Sequence, residues 1–276
     1  MEIIIEDISK CKSCQHYTCS TNNIVENGHF QGLKTEQYTC PVRLISRGID
    51  DEQMEKGRVD IKLDREQLSP CIHCGLCIKQ CSKNNLIMKD YQYKTNEDFQ
   101  PITNSPMASD IVGNSIATSY LNHLYDFAAN TNIVKTLSFD GYICSVDGKE
   151  CFVEIDLKND SLECFRRILA DFVLHNHNNA RKIEDGLVVL SNIPKEGSRD
   201  VYNQVKKIMD FPYTSKLRLY VTTFALLRYY TLNNLGKDIP FGELFYKIGN
   251  ETKEEYLERI IASKYVTKEI SSLIFE

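Results

Sequence analysis

Eleven cysteines, at positions 11, 14, 19, 40, 71, 74, 77, 81, 144, 151 and 164, are the residues of this 276-residue chain whose spacing points most directly to chemistry. Eight of them fall within the first 81 residues. Cys71-Ile-His-Cys74-Gly-Leu-Cys77-Ile-Lys-Gln-Cys81 has the spacing C-x2-C-x2-C-x3-C. Three thiolates so close together can wrap three irons of one cubane, while backbone N–H groups between them reach its sulfides. Gly75, with no side chain, lets such a loop approach the cluster. The alternative is a four-cysteine zinc site, although zinc ligands usually come as two CxxC knuckles across a longer gap. Upstream, Cys11-Lys-Ser-Cys14, then Cys19, then Cys40-Pro41 form a stretched version of the same run. For this second group the alternatives are zinc or a single cubane at 71–81 alone. His16, His29 and His73 lie among the cysteines and read as ordinary surface histidines, because the eight thiols already suffice.

Together the two runs resemble the two-cluster bacterial-type ferredoxins, over about the first 88 residues. In that family a Cys-Pro pair ends the run, and the fourth cysteine of each run ligates the other cluster. The resemblance therefore implies two [4Fe–4S] clusters. Cys11, Cys14, Cys19 and Cys81 would hold one; Cys71, Cys74, Cys77 and Cys40 would hold the other. It also implies one-electron transfer, hence a redox partner protein. Three departures stand out: four residues separate Cys14 from Cys19, a long insertion precedes Cys40, and Ser82 follows Cys81 in place of proline. Clusters can instead be structural, stapling a domain too small to bury enough surface by itself.

A second constellation lies in the other half. On a strand through Phe152-Val153-Glu154-Ile155-Asp156-Leu157-Lys158, the residues Phe152, Glu154, Asp156 and Lys158 share one face. Three ionisable groups on one strand face are costly if buried without partners, and a divalent cation would compensate them. Asp140, sixteen residues before Asp156, with Lys158 two residues further on, resembles the PD-(D/E)xK nuclease motif. In that family a hairpin brings two carboxylates onto Mg²⁺ and a lysine beside the attacking water; a helix and another strand follow. The resemblance implies Asp140 and Asp156 as ligands of Mg²⁺ or Mn²⁺, with Lys158 and Glu154 also catalytic, and DNA as the partner. A metal there would activate water and stabilise charge on the phosphate. A strict two-residue turn at Asp147-Gly148 sets Asp140 opposite Ile155, on the wrong face. The motif needs a longer turn or a bulge, which Gly141 or Gly148 can supply. The plain alternative is an exposed hairpin face with a Glu154/Lys158 or Asp156/Lys158 surface pair.

The elements that must position these groups follow from periodicity. Ile116, Tyr120, Leu124 and Phe127 recur at helical spacing. Residues 136–145 and 150–157 read as the hairpin strands. Leu162, Phe165, Leu169, Phe172 and Val173 mark a helix started by Asp160 and Glu163. Residues 187–190 and 217–223 read as strands, and 198–210 and 225–232 as helices. Thr252 with Glu255 opens the last helix. Cys144 and Cys151 are expected as neighbouring core thiols and Cys164 as a buried one; Arg166, Arg167, His175, His177, Arg181 and Lys182 read as a basic solvated helix face. The expectation is thus a two-domain chain, α+β then α/β: a ferredoxin-like dicluster domain at 1–88, a linker at 89–109, and a restriction-endonuclease-like α/β domain at 110–276. A net charge of −5 carries no global signature of nucleic-acid binding. No apolar run reaches membrane-helix length, and the acidic N-terminus does not read as a signal peptide, so a cytoplasmic location with reduced thiols is expected. The alternative to a nuclease-like function is a redox protein whose second domain docks a partner without catalysis.

Overall fold

In the computed structural model the residues described are 2–5, 10, 45–48, 60–63, 74–79, 81, 83–89, 109–129, 140–157, 161–180, 182–191, 193, 199–212, 214–268 and 271. The chain divides into two compact units, Met1–Gln92 and Tyr93–Glu276.

Among the described residues the first unit has two antiparallel strand pairs. β1 (Glu2–Ile5) pairs with β4 (Leu86–Lys89), with Ile5 opposite Leu86. β2 (Ile45–Gly48) pairs with β3 (Asp60–Leu63), with Ile45 opposite Leu63. The first and last strands thus meet each other, and so do the two middle ones. A short helix, α1 (Leu76–Lys79), lies between β3 and β4, inside the Cys71–Cys81 run.

The second unit is α/β. Its elements run α2 (Ser109–Tyr125), β5 (Ala128–Ala129), β6 (Gly141–Cys144), β7 (Glu150–Asp156), α3 (Ser161–Asn178), β8 (Asp185–Leu190), α4 (Arg199–Met209) and β9 (Arg218–Thr223). Then come α5 (Phe224–Leu232), α6 (Phe241–Leu244), β10 (Tyr246–Lys247) and α7 (Lys253–Ala262). Among the described residues the sheet has six strands in the order β10-β9-β8-β7-β6-β5. β7, β8 and β9 are parallel; β5, β6 and β10 join antiparallel. Parallel strands must be covered on both faces, and their sequences show it: every residue of β8, Asp185-Gly-Leu-Val-Val-Leu190, is buried.

Side-chain alternation on β7 sorts the two faces. Phe152 meets the rings of Phe172 and His175 on α3, with ring centres 6.5 and 5.0 Å away, so the even-numbered residues face α3. α2 also packs on β6 and β7, and its Tyr120 meets Phe224 of α5 at 5.5 Å. α5 is apolar nearly all round and is buried from Phe224 to Thr231, as such a helix must be. Its first turn is capped by Thr223, whose hydroxyl accepts the Leu226 N–H at 3.2 Å. α7 opens with the expected capping box: Thr252 Oγ1 accepts from Glu255 N at 3.1 Å, and Glu255 Oε2 accepts from Thr252 N at 2.7 Å.

Several expectations shift. α2 ends at Tyr125, so Phe127 lies beyond it; Asp126 takes a left-handed φ of 44°, and Asn122 Oδ1 accepts the Phe127 N–H. Of the first hairpin strand, residues 141–144 are described as strand, while 130–139 lie outside the described residues. Asp160, expected in the α3 cap, and the linker residues 90–108 also lie outside them. The two-residue strands β5 and β10 and the one-turn helix α6 carry too little periodicity to be read from sequence.

Candidate functional site

In the first unit, Cys74, Cys77 and Cys81 are described; all three are buried and free of disulfides. The loop is tight. Gly75 has a φ of 78°, a conformation that favours glycine, and its carbonyl accepts the N–H groups of Ile78 at 3.1 Å and Lys79 at 3.2 Å. The Cys81 N–H donates to Ile78 O at 3.2 Å, and the Asn85 N–H donates to Cys81 Sγ at 3.2 Å. Buried thiols, a left-handed glycine and that sulfur-directed N–H are compatible with the expected cluster loop, although no three ligating side chains gather among the described residues. Cys11, Cys14, Cys19, Cys40 and Cys71, and His16, His29 and His73, lie outside the described residues.

In the second unit, the turn decides which residues meet. Ser145 N donates to Lys149 O at 2.8 Å and Gly148 N to Ser145 O at 2.9 Å, which closes a three-residue loop, Val146-Asp147-Gly148. Gly148 supplies the left-handed φ of 73° that such a loop needs at its last position. The strict two-residue turn is therefore replaced by the longer one, and the register moves by one residue. Gly141 stands opposite Val153, and the Asp140 N–H continues the ladder to Val153 O at 2.9 Å. Asp140 comes to the face of Glu154 and Asp156. The same shift corrects the cysteine expectation. Cys144 faces Glu150 and is exposed, whereas Cys151 faces Ile143 and is buried.

This face is only partly solvated. Glu154 is 2 % exposed, which removes the exposed-hairpin alternative for it. Asp140 Oδ2 accepts the Ile155 N–H at 2.7 Å. From α3, Arg167 Nη2 reaches Glu154 Oε1 at 2.8 Å and Asp156 Oδ2 at 3.0 Å. Burial raises the Glu154 pKa to about 9, helped by Asp140, Asp171 and Asp156 and opposed by Arg167. Burial likewise raises Asp140 to about 6, against the Ile155 N–H and Arg167. For Arg167 burial works against the charge, but Glu154, Cys164 and Asp156 outweigh it and its pKa is raised. Burial thus opposes ionisation of Glu154 more strongly than that of Asp140, and Arg167 works against the shift at both. Glu154 Oε2 and Arg167 Nε are buried and have no hydrogen-bond partner among the described residues.

Asp140, Glu154 and Asp156 are therefore brought to one face; Lys158 lies outside the described residues. The donors are hard oxygens, as Mg²⁺ or Mn²⁺ requires. They do not fit an ion as they stand. Among the described residues no three His, Cys, Asp or Glu side chains gather as a metal would need, and the positive charge here is the Arg167 guanidinium. No known family model matches the chain, and neither a curated protein nor a solved structure matches it.

The sequence reading missed Arg167, Asp171 and Cys164 as neighbours of this face. Arg167 was grouped with a solvated basic stretch. Part of that stretch is solvated: Arg166 and His177 are exposed, and Lys182 Nζ donates to Asn176 O and, at 2.7 Å, to Asn179 O. Arg181 lies outside the described residues. The available signal was spacing: Arg167 stands three residues after buried Cys164 and four before buried Asp171, on the edge of the buried stripe.

Proposed function

We propose that this chain is an iron–sulfur protein whose first unit holds two [4Fe–4S] clusters and whose second unit is a nuclease-like α/β domain acting on DNA. The strand pairing carries the reading. Ile5 is opposite Leu86, so the chain leaving β1 toward Cys11 and the chain arriving at β4 from Cys81 leave the same end of one pair. Ile45 is opposite Leu63, so the chain arriving from Cys40 and the chain leaving toward Cys71 share an end of the other pair. Cys81 stands five residues before Leu86, and Cys11 six after Ile5; Cys40 stands five before Ile45, and Cys71 eight after Leu63. At about 3.3–3.6 Å per extended residue these tethers are short. That supports the crossed ligand sets, Cys11, Cys14, Cys19 and Cys81 against Cys40, Cys71, Cys74 and Cys77. A β…ββαβ order with outer strands paired is also compatible with a ferredoxin-like unit. Bound clusters would supply one-electron transfer; Cys74, Cys77, Cys81 and the Asn85 N–H would hold them and exclude water.

For the second unit, the support is the three-residue turn that brings Asp140 to the face of Asp156, together with the order α2, hairpin, α3, parallel β8. Asp140 and Asp156 are the carboxylates of that face that the motif would use, and Lys158, two residues further along the sequence, would be its lysine. Burial raises the Glu154 pKa against the pull of Arg167, so its carboxyl gives up a proton less readily than its neighbour Asp140. One observation favours a second reading: Arg167 already satisfies Glu154 and Asp156, as suits a non-catalytic module that docks a redox partner.

Purification without air decides the clusters. About eight irons per chain are expected for two cubanes; zinc without iron overturns the assignment, and about four irons leave the 71–81 cluster alone. Substituting Asp156→Ala or Lys158→Ala should abolish Mg²⁺-dependent DNA cleavage with iron content unchanged. Cleavage that survives Asp156→Ala transfers the domain to the docking reading.

A further inference from the structure

Phe211 is 60 % exposed, and among the described residues it is the one exposed large aromatic side chain. A single apolar residue at the surface is ordinary; Phe211 is set apart by how its backbone is held and by the charge around it. It lies in the connection from α4 to β9. Its N–H donates to Ile208 O at 3.2 Å, and its carbonyl accepts from Thr214 N at 3.0 Å and Ser215 N at 2.8 Å. The buried Thr214 hydroxyl is shared between Phe211 O, at 3.3 Å, and Ile208 O. Ser215 Oγ donates to Pro212 O at 3.1 Å, and Leu217 N to Thr214 O at 2.9 Å. Pro212 restricts the backbone of Phe211 further. A partner that lands on the ring therefore loses little loop entropy. Lys206 and Lys207 in the last turn of α4, Asp210, and Lys216 just after Ser215 are all exposed. Three lysines against one aspartate give residues 206–216 a net charge of +2 in a chain of −5. The end of a helix attracts cations by itself, which accounts for Lys206 and Lys207, but Lys216 lies outside the helix. The connection leads into the start of β9, whereas Asp156 closes β7, so Phe211 lies toward the opposite end of the parallel strands from the Asp140–Asp156 face.

We propose that the α4–β9 connection is a docking point for single-stranded nucleic acid, with one base stacked on Phe211 and the neighbouring phosphates met by Lys206, Lys207 and Lys216. Bases of every kind stack on an aromatic ring, and a positive rim tracks the phosphate backbone. Size decides against a protein partner. A stable protein interface takes about 800 Å² from each side around an apolar centre. The other exposed large hydrophobic residues among those described, Val146 and Leu174, belong to the β6–β7 turn and to α3. One ring with a cationic rim is the size of a base and its phosphates. A duplex keeps its bases stacked on one another and offers the ring no face. The proposal rests on the reading of this unit as one that acts on nucleic acid, and adds the strandedness and the place. It uses no cation and no residue of the Asp140–Asp156 face, so binding and cleavage can fail separately.

The chain contains no tryptophan, so Phe211→Trp sets a single fluorescent reporter at the site. With the full chain in EDTA, where no metal-dependent cleavage competes, a short oligo(dT) should quench that emission by stacking. The same sugar–phosphate chain without bases should leave it unquenched, and so should duplex DNA. A second measurement needs no reporter in the protein: the anisotropy of labelled oligo(dT). There Phe211→Ala should weaken binding about tenfold, the loss of one stacked base. Lys207→Gln should flatten the slope of log K against log salt by about 0.7, the share of one phosphate contact on a single strand. Binding without quenching, or binding undiminished in Phe211→Ala, puts the strand elsewhere; it overturns the proposal and leaves the nucleic-acid reading standing. No binding of oligo(dT) overturns the proposal too, and Mg²⁺-dependent cleavage of duplex DNA that persists beside it keeps the nuclease-like reading. Polyglutamate that quenches as strongly as oligo(dT) marks a site for an acidic protein segment and overturns the assignment.

Discussion

Glu154 carries the largest electrostatic strain of the described carboxylate face, and its sign is testable. Its pKa lies at about 9 in the folded chain against an ordinary 4.5. Below about pH 4.5 both folded and unfolded chains are protonated there, and Glu154 contributes no pH dependence. Above that value the unfolded chain releases the proton first, because ionisation in the buried face is opposed. Stability from this residue is therefore lost as pH rises from about 4.5 to about 9, by at most about 1.4 kcal/mol per pH unit. Asp140, raised to about 6, adds a loss of the same sign over a narrower window. Glu154→Gln keeps the shape without the ionisation, so its urea midpoint should fall less between pH 5 and pH 8 than that of the wild type. Parallel profiles would show that Glu154 is already ionised, held so by Arg167. The sequence placed Glu154 and Asp156 on one strand face through period-2 alternation, which a single strand determines locally. Arg167 was not legible, because its role depends on how α3 turns relative to β7.

Among the elements, the sheet's parallel core is tied at the start of β8 and β9 by Asp185 and Arg218. Asp185 is 2 % exposed and Arg218 36 %. That asymmetry predicts which half of the pair matters more. Arg218→Ala strands a buried carboxylate and should cost about 3 kcal/mol. Asp185→Ala frees an arginine that can turn to water, and should cost clearly less. The urea midpoints of the two variants measure the order; equal or reversed losses would mean that the pair is not the tie described. Strand existence here was legible because Val, Ile, Leu, Tyr and Thr concentrate in short runs. Register was not. Asp147-Gly148 suits both a two-residue loop and the end of a three-residue loop, and one residue of difference exchanges the partners of Asp140 and of both hairpin cysteines. The choice rests on the Ser145–Lys149 bond and the left-handed Gly148, which no local pattern announces.

At the scale of the molecule, the two units differ in what can hold them folded. The described elements of Met1–Gln92 are four-residue strands and a four-residue helix, and their described buried side chains include Cys74, Cys77 and Cys81. Strands so short, in pairs rather than sheets, are marginal without a further support. If clusters bind there, the free energy of binding is part of the free energy of folding. Tyr93–Glu276 has its own six-stranded sheet, with α2, α3 and α5 against it and buried Phe, Tyr, Leu and Val side chains throughout. This difference was partly legible in sequence, since eight of the eleven cysteines crowd the part of the chain with the weakest periodicity. On the cluster-binding proposal, oxidative removal of iron under a chelator should abolish the β-structure of the first unit and open it to protease. The second unit should keep its helical circular dichroism and its own unfolding transition. Calorimetry of the iron-loaded chain should resolve an iron-dependent transition apart from an iron-independent one. A single transition that disappears entirely with the iron would mean that the sheet of Tyr93–Glu276 does not stand by itself, and that the clusters staple the whole chain. Retained structure in both units after iron loss would overturn a structural role for the proposed clusters.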